Sequence, residues 1–284
     1  MNETLRLPPR LSQLSDVLTD RELQRISQLI YQRAGIVLSQ QKRDMIFNRL
    51  SRRLRELSLS RFSEYITILE SNADSPEWQV FINSLTTNLT SFFREAYHFP
   101  ALAEHARSRA SGYRVWCTAA SSGEEPCSIA MTLDECLGAP VPGPRVWATD
   151  IDTNVLAKAT AGVYRLADLQ TLSMAQKRHY FLRGTGEHSE MVRVKPQLQA
   201  AIHYQQLNLL DRDWKVPGPF DAIFCRNVMI YFDAATQAQL IQRFAQMLKP
   251  SGLLFVGHSE HFNHLKSPFR LRGQSIYELT EKRG

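Results

Sequence analysis

Tyr113-Arg-Val-Trp-Cys-Thr-Ala-Ala-Ser-Ser-Gly123-Glu-Glu-Pro126 is the stretch that decides the fold. A short apolar strand runs into small residues, then a glycine and two acids, and a helix is expected from Pro126. Strand-turn-helix units of this kind hold ligands at the carboxyl edge of open α/β sheets. The small side chains let a ligand come close to the backbone. Charge narrows the ligand class. A phosphate-binding turn avoids two carboxylates, whereas a cation is favoured beside them. The loop therefore predicts a nucleoside carried by something positive, and S-adenosylmethionine is a sulfonium with an amino group.

Downstream, strands and helices alternate. Strands are expected at 114–118, 145–149, 202–207, 222–225 and 253–257, and helices at 126–137, 153–161 and 234–248. Such alternation predicts an α/β, Rossmann-like, mostly parallel sheet with helices on both faces. The segment 269–279, with Ser275-Ile-Tyr-Glu-Leu279 alternating, suits a closing antiparallel strand. Between about 164 and 199 the rhythm breaks. Two apolar runs, His179-Tyr-Phe-Leu-Arg183 and Met191-Val-Arg-Val-Lys195, flank Gly184-Thr-Gly186 and read as a hairpin in an inserted antiparallel β-subdomain. Its edge is either a place where an extra peptide strand adds or a structural embellishment, and the residues leave both open.

Upstream of this region no strand pattern exists. Thr19-Asp-Arg-Glu22 is a capping box, and the helix it opens is expected to stop at Gly35. Ser75-Pro76 starts another helix through Trp78 and Phe81. Residues 1–95 are thus expected to form a small helical domain, with 96–284 the α/β domain. Charge is concentrated at the front: residues 1–60 hold 11 Lys or Arg against 6 Asp or Glu, +5 of the chain's +6. Much of it lies on one expected helix, where Ile46, Leu50, Leu54 and Leu57 share a face and Arg49, Arg52 and Arg53 lie opposite. That arc is either a solvated face or a docking surface for an acidic partner.

Composition excludes several classes. At 284 residues and 43% apolar, the chain can bury a substantial core in one large or two smaller domains. Its four cysteines form no CxxC pair, so reduced thiols in a cytoplasmic protein are expected. No apolar run approaches membrane-helix length, and Met1–Pro8 lacks a signal-peptide pattern. The absence of GxGxxG and GxxxxGK[ST] counts against nicotinamide enzymes and P-loops. His258, His261 and His264 are spaced so as to spread around a helix, and Gly257-His-Ser259 lacks the second glycine of a nucleophile elbow, so neither a metal site nor that elbow is expected.

Three groups of residues could carry chemistry. Asp150 ends the second strand, where ribose hydroxyls are held, while Asp152 suits a helix cap. Arg226 and Asn227 follow four apolar residues at the carboxyl end of a further strand, and Tyr231 lies four residues beyond Asn227. Asn88, Thr90 and Arg94 are polar in an apolar junction between the domains, although Thr90 or Ser91 would also serve as a helix cap.

With these residues in hand, the chain resembles the chemotaxis receptor methyltransferases of the CheR family over nearly its whole length. The specific blocks are Thr86-Thr-Asn-Leu-Thr-Ser-Phe-Phe-Arg-Glu95, Ala120-Ser-Ser-Gly-Glu-Glu-Pro126, Thr149-Asp-Ile-Asp152 and Phe224-Cys-Arg-Asn-Val-Met-Ile-Tyr-Phe232. The chain shares with that family a first loop with few glycines, unlike the wider methyltransferase class. The resemblance implies transfer of methyl from S-adenosylmethionine to receptor glutamates, giving methyl esters and S-adenosylhomocysteine, in sensory adaptation. It implies cofactor contacts from Asn88, Thr90, Arg94, Glu125, Asp150, Asn208, Leu209, Arg226 and Asn227, and no metal. It implies that Arg49, Arg52 and Arg53 face the receptor's methylation helices, and that Arg183, Gly184 and Gly186 match a region that docks a C-terminal receptor peptide in some members. A cytoplasmic monomer recruited to membrane receptor arrays is the corresponding expectation, with neither membrane insertion nor nucleic acid.

Glutamate is already ionised at neutral pH, so methyl transfer needs no general base. Arg94 is expected to orient the carboxylate and Tyr231 to donate a hydrogen bond to it. Two rival classes remain. A nucleic-acid methyltransferase would explain the basic helix, but no Asn-Pro-Pro-Tyr-like motif is present to hold a flipped base. A non-catalytic regulator predicts cofactor binding without turnover.

Overall fold

The computed structural model describes residues 17–109, 112–138, 143–262 and 267–280. His264 of the histidine run and the N-terminal stretch read for a signal peptide lie outside these residues. The chain divides into two compact units, 1–86 and 87–284.

Four helices build the first unit: α1 (Asp20–Ala34), α2 (Arg43–Glu56), α3 (Phe62–Ser71) and α4 (Glu77–Leu85). The Thr19/Glu22 capping box starts α1, and Gly35, at φ 69°, ends it in the left-handed region. Ser75 Oγ accepts from the Glu77 N–H at 3.2 Å, so the Ser75-Pro76 signal opens α4. Ile26, Ile30, Ile46, Leu50, Leu54, Tyr65 and Phe81 are fully buried and form its centre. Each such aliphatic side chain contributes roughly 1.5–3 kcal/mol by leaving water.

The second unit opens with α5 (His98–Arg107), then β1 (Val115–Cys117), α6 (Glu124–Leu137), β2 (Val146–Asp150) and α7 (Thr153–Ala161). An insertion follows: β3 (Val163–Arg165), α8 (Met174–Tyr180), β4 (Phe181–Arg183), β5 (Met191–Val194) and α9 (Pro196–Ala200). The chain then returns through β6 (Ile202–Gln206), β7 (Phe220–Cys225), α10 (Ala234–Gln246), β8 (Leu248–Val256), β9 (Phe269–Gly273) and β10 (Ile276–Leu279). The main sheet has the order β6-β2-β1-β7-β8-β10-β9. Its first five strands are parallel, and β10 runs antiparallel to both β8 and β9.

Alternation along the strands separates the two faces. Val115, Cys117, Ala222, Phe224, Leu253 and Phe255 join one core with α5, α6 and the insertion. Trp116, Ile223, Cys225, Leu254 and Val256 join the other with α10 and Trp214. Helices thus cover both faces, as the strand-helix alternation predicts.

Two local expectations are corrected. The single closing strand over 269–279 is a hairpin, because Gln274 and Ser275 turn the chain at φ 50° and 59°. The inserted hairpin is a three-stranded antiparallel sheet, order β3-β5-β4, since Val163–Arg165 adds to β5. Among the described residues, no helix is long and apolar enough to cross a membrane.

Candidate functional site

The connections from β1 lead outward through β2 to β6, while β7 and β8 lie on its other side. The carboxyl ends of β1 and β7 are therefore the switch point of the sheet, the place where open α/β sheets bind their ligands. The loop after β1 is pinned there. Ala120 N–H donates to Thr149 O at 2.9 Å, and Ser121 N–H donates to Asp150 Oδ2 at 2.8 Å. Gly123 has φ 101°, and a Cβ there would lie 2.6 Å from Tyr164 Oη and 2.9 Å from Ala159 Cβ, so glycine is required by both conformation and space. Two residues later Glu125 sits buried in the first turn of α6, which begins at Glu124 rather than Pro126. The helix dipole favours a carboxylate in that position.

Two clusters of side chains line this edge. In the first, Asp150 accepts from the Ser121 and Asp152 N–H groups at 2.8 and 2.9 Å. Burial pushes its pKa up to about 6 against those bonds. Asn88 Nδ2 donates to Asp152 Oδ2 at 2.7 Å, and Ser121 Oγ donates to the Asn88 carbonyl at 2.9 Å. Asp152 also caps α7 through the Asn154 N–H at 2.9 Å. The proposed ribose reader and its neighbouring cap thus stand side by side, with Asn88 against the cap.

The second cluster is organised by Arg226, whose side chain is 1% exposed. Its Nη1 donates to Glu125 Oε2 at 2.5 Å, and its Nη2 donates to the Arg94 carbonyl at 2.5 Å and lies 3.3 Å from Glu95 Oε2. Glu95 also receives His258 Nδ1 at 3.0 Å and Asn227 Nδ2 at 3.4 Å. Burial works against the charge on Glu95, but the His258 bond and the Arg226 guanidinium hold its pKa down at about 2. A guanidinium between two carboxylates, all largely desolvated, is strongly coupled. Below it His98 is fully buried, and burial and Arg226 lower its pKa to about 4, leaving it neutral at pH 7.

Asn227 adopts φ 57°, a conformation few side chains tolerate. Glu260 holds it there. This buried carboxylate accepts from the N–H groups of Gly257 at 2.5 Å, Met229 at 2.8 Å, Asn227 at 2.9 Å and Ile230 at 3.4 Å, tying the loop after β7 to the loop after β8. Phe93, Glu95 and Ser121 also have φ near 50°. Strained backbone of this kind gathers at functional sites.

The other sequence-predicted residues are more dispersed. Arg94 keeps its guanidinium half-exposed, with one hydrogen bond among the described residues, to Leu89 O at 2.8 Å. Thr90 is half-exposed beside it, in a segment that precedes α5 without capping it. Tyr231 ends a short 3₁₀ turn (Met229–Tyr231), and its hydroxyl has no hydrogen-bond partner among the described residues. Asn208 closes a turn after β6 by accepting from Leu210 N–H at 3.0 Å. Leu209 is buried in the core on the α10 face, its carbonyl accepting from Trp214 Nε1 at 3.2 Å and Arg243 Nη1 at 3.0 Å.

On α2, the three arginines differ. Arg53 grips Glu77 through Nε at 2.8 Å and Nη2 at 2.5 Å and Glu56 through Nη1 at 3.0 Å. Arg49 donates to Thr86 O at 2.6 Å, whereas Arg52 is 81% exposed and, among the described residues, reaches only Glu56, at 3.2 Å. In the inserted sheet, Arg183 donates to Ser189 O at 3.2 Å, and a Cβ on Gly184 would lie 2.1 Å from His188 O. Gly186 turns the chain at φ 57°. Among the described residues β4 pairs only with β5, leaving its other edge open there, and Leu182 on it is half-exposed.

Sequence reasoning passed over Glu95, Glu260, His258 and Ser121. Glu95 stood within a quoted block, and an acid directly after Arg94 in an apolar junction was its only signal. Glu260 lay in the histidine run read as a weak metal motif, and nothing local marks a carboxylate that gathers four distant amides.

Two family profiles match the chain. One is described as CheR methyltransferase, all-alpha domain, over residues 21–86, and the other as CheR methyltransferase, SAM binding domain, over residues 88–277. The chain is 60% identical to the chemotaxis protein methyltransferase of Klebsiella aerogenes over 266 residues, which cover 94% of this chain and 92% of that one. It is 59% identical to the chemotaxis protein methyltransferase of Escherichia coli over 93% of this chain and 92% of that one. It is 47% identical to chemotaxis protein methyltransferase 2 of Pseudomonas aeruginosa over 91% and 93% respectively.

Proposed function

The chain belongs to the CheR methyltransferase family, and from that premise we propose that it esterifies glutamate side chains of membrane chemoreceptors with methyl from S-adenosylmethionine. Membership makes it an S-adenosylmethionine-dependent methyltransferase. The observation that carries the reading is similarity to chemotaxis methyltransferases across 94% of the chain, with acidic and amide side chains gathered at the sheet's switch point.

The residues present fit the cofactor. Asp150 stands at the carboxyl end of β2, where a ribose is held, and the buried Arg226 Nε has no partner among the described residues. Glu125, Glu95 and Asp152 outnumber Arg226 at this edge and leave it acidic, which suits a ligand with a positive tail. The reading assigns cofactor contacts to Asn88, Thr90, Arg94, Glu125, Asp150, Asn208, Leu209, Arg226 and Asn227. When bound, S-adenosylmethionine supplies a methyl carbon activated by its sulfonium.

The protein's own task is to bring a carboxylate into line and exclude water. Arg94 orients the incoming glutamate, a role supported by a guanidinium with one hydrogen bond and partial exposure. Tyr231 donates a second hydrogen bond to that carboxylate. No group need remove a proton, because the nucleophile is ionised.

For partners, the reading places the receptor's methylation helices against α2, with Arg52 the most exposed of Arg49, Arg52 and Arg53. The open edge of β4, with Arg183, Gly184 and Gly186, supports docking of a C-terminal receptor peptide by strand addition. A monomer working in the cytoplasm at receptor arrays, without nucleic acid, completes the proposal. The test uses methyl-labelled S-adenosylmethionine with receptor-bearing membranes, followed by mild alkali. Label released as methanol identifies carboxyl methyl esters. Alkali-stable label, or none with the cofactor bound, removes the proposal.

A further inference from the structure

The two acids of the loop after β1 first suggested a home for a cation, yet in the structure neither is available as a bare charge. Glu124 accepts from Ser122 Oγ at 2.7 Å, and burial raises its pKa. Glu125 is bound to Arg226 at 2.5 Å. One guanidinium can neutralise one carboxylate, and Arg226 also faces Glu95 at 3.3 Å. Glu95, with a side chain 9% exposed, stays ionised with its pKa held at about 2. His98 beneath is neutral, and His258 Nδ1 lies 3.0 Å from Glu95 on the solvent side. The Glu125–Arg226–Glu95 group therefore carries one negative charge in excess, in surroundings that screen it poorly.

We propose that Glu95 is a positioning and specificity-determining residue: through Arg226 it leaves the Glu125–Arg226–Glu95 group one net negative charge, which strengthens binding of a cationic nucleoside relative to its neutral counterpart. The inference rests on the cofactor reading above, because the two ligands in question are S-adenosylmethionine and S-adenosylhomocysteine, which differ by one methyl group and one positive charge. Glu125 alone would give an electrically balanced pair with Arg226. Glu95 supplies the surplus, and it also fixes the main chain beside Arg94, whose carbonyl the same guanidinium holds at 2.5 Å.

The test is calorimetric titration of the full chain with each nucleoside separately at one fixed pH, for the unaltered protein, Glu95→Gln and Glu95→Asp. Glu95→Gln keeps the shape and removes the charge. It is expected to weaken S-adenosylmethionine roughly tenfold more than S-adenosylhomocysteine, as one unit charge acting across a poorly screened site would. Glu95→Asp keeps the charge, so the ratio of the two affinities should stay within about twofold of the original even where both fall. Equal losses for both ligands in Glu95→Gln, or the same change of ratio in Glu95→Asp, would overturn the proposal and leave the cofactor reading standing. If the unaltered protein binds neither nucleoside, the cofactor reading itself falls, and this inference falls with it. Should Glu95→Gln fail to fold, Glu125→Gln removes the same charge from the other side of Arg226 and must shift the ratio in the same direction.

Discussion

The same arrangement, an arginine between two acids, occurs twice in this chain with different consequences. On α2, Arg53 lies between Glu77 and Glu56 with its side chain 22% exposed, and Glu56 is 46% exposed. At the sheet edge, Arg226 lies between Glu125 and Glu95 with side-chain exposures of 1%, 11% and 9%. The wet triad is screened and acts as an anchor, fastening α2 to α4 through a bidentate contact that Tyr65 completes by donating to Glu77 at 2.7 Å. The dry triad cannot be screened, so its charge count matters for whatever binds at that edge. Arginine content by itself would have ranked α2 as the more functional region. Burial and the identity of the partners reverse that ranking for Arg53, and leave Arg52 the most exposed of Arg49, Arg52 and Arg53.

The comparison can be broken most severely at Arg226. Arg226→Ala leaves two buried carboxylates facing each other and should cost about 3–5 kcal/mol of stability, read from urea unfolding. A loss under about 1 kcal/mol would mean that the triad is wetter than its geometry indicates.

Acid titration sharpens the contrast next. Glu95 has a folded pKa of about 2, below its ordinary 4.5, so its stabilisation is present above pH 4.5 and is lost as pH falls toward 2. That depression corresponds to something on the order of 3 kcal/mol. Asp150 works oppositely: its folded pKa of about 6 exceeds the ordinary 3.8, so its contribution is greatest below pH 3.8 and is lost as pH rises through 6. Stability measured between pH 4.5 and 2 should therefore fall less steeply in Glu95→Gln than in the unaltered protein. Parallel curves would contradict the ion-pair account.

The smallest effects are expected on α2. Arg53→Ala should cost about 1–2 kcal/mol, after allowance for its partial exposure. Arg52→Ala should change stability by less than about 0.5 kcal/mol, yet raise the KM for receptor membranes several-fold at low salt. If the two variants behave alike in both assays, the division between anchor and docking cation is wrong.

Where the causes of structure are local, the sequence was readable. Thr19 and Glu22 cap α1 and Gly35 ends it as expected, because these bonds span three or four residues. The helix expected at 153–161 spans Thr153–Ala161 with Asp152 as its cap, and Gly162 ends it in the left-handed region. The β9–β10 turn was missed although Gly273 stands just before it at φ 123°, because its two central residues, Gln274 and Ser275, take positive φ with side chains that do not signal such a turn. The start of α6 was displaced because two acids entering a buried helix looked like loop. Arg226 and Asn227 were legible as polar residues ending an apolar strand. Glu95 was not, since His258 is 163 residues away along the chain and only the folded sheet brings them together.

The proposal that receptor glutamates are methylated at the carboxyl edge of this sheet stands or falls with Arg94→Ala. The measurement is the initial rate of alkali-labile methyl transfer to receptor membranes, beside the affinity for S-adenosylhomocysteine on the same preparation. The account predicts a loss of roughly a hundredfold to a thousandfold in rate, in keeping with removal of one charge-orienting donor, and a change in affinity of only a few-fold. Rate and affinity falling by the same factor would contradict it, and would return Arg94 to a simple part in holding the cofactor.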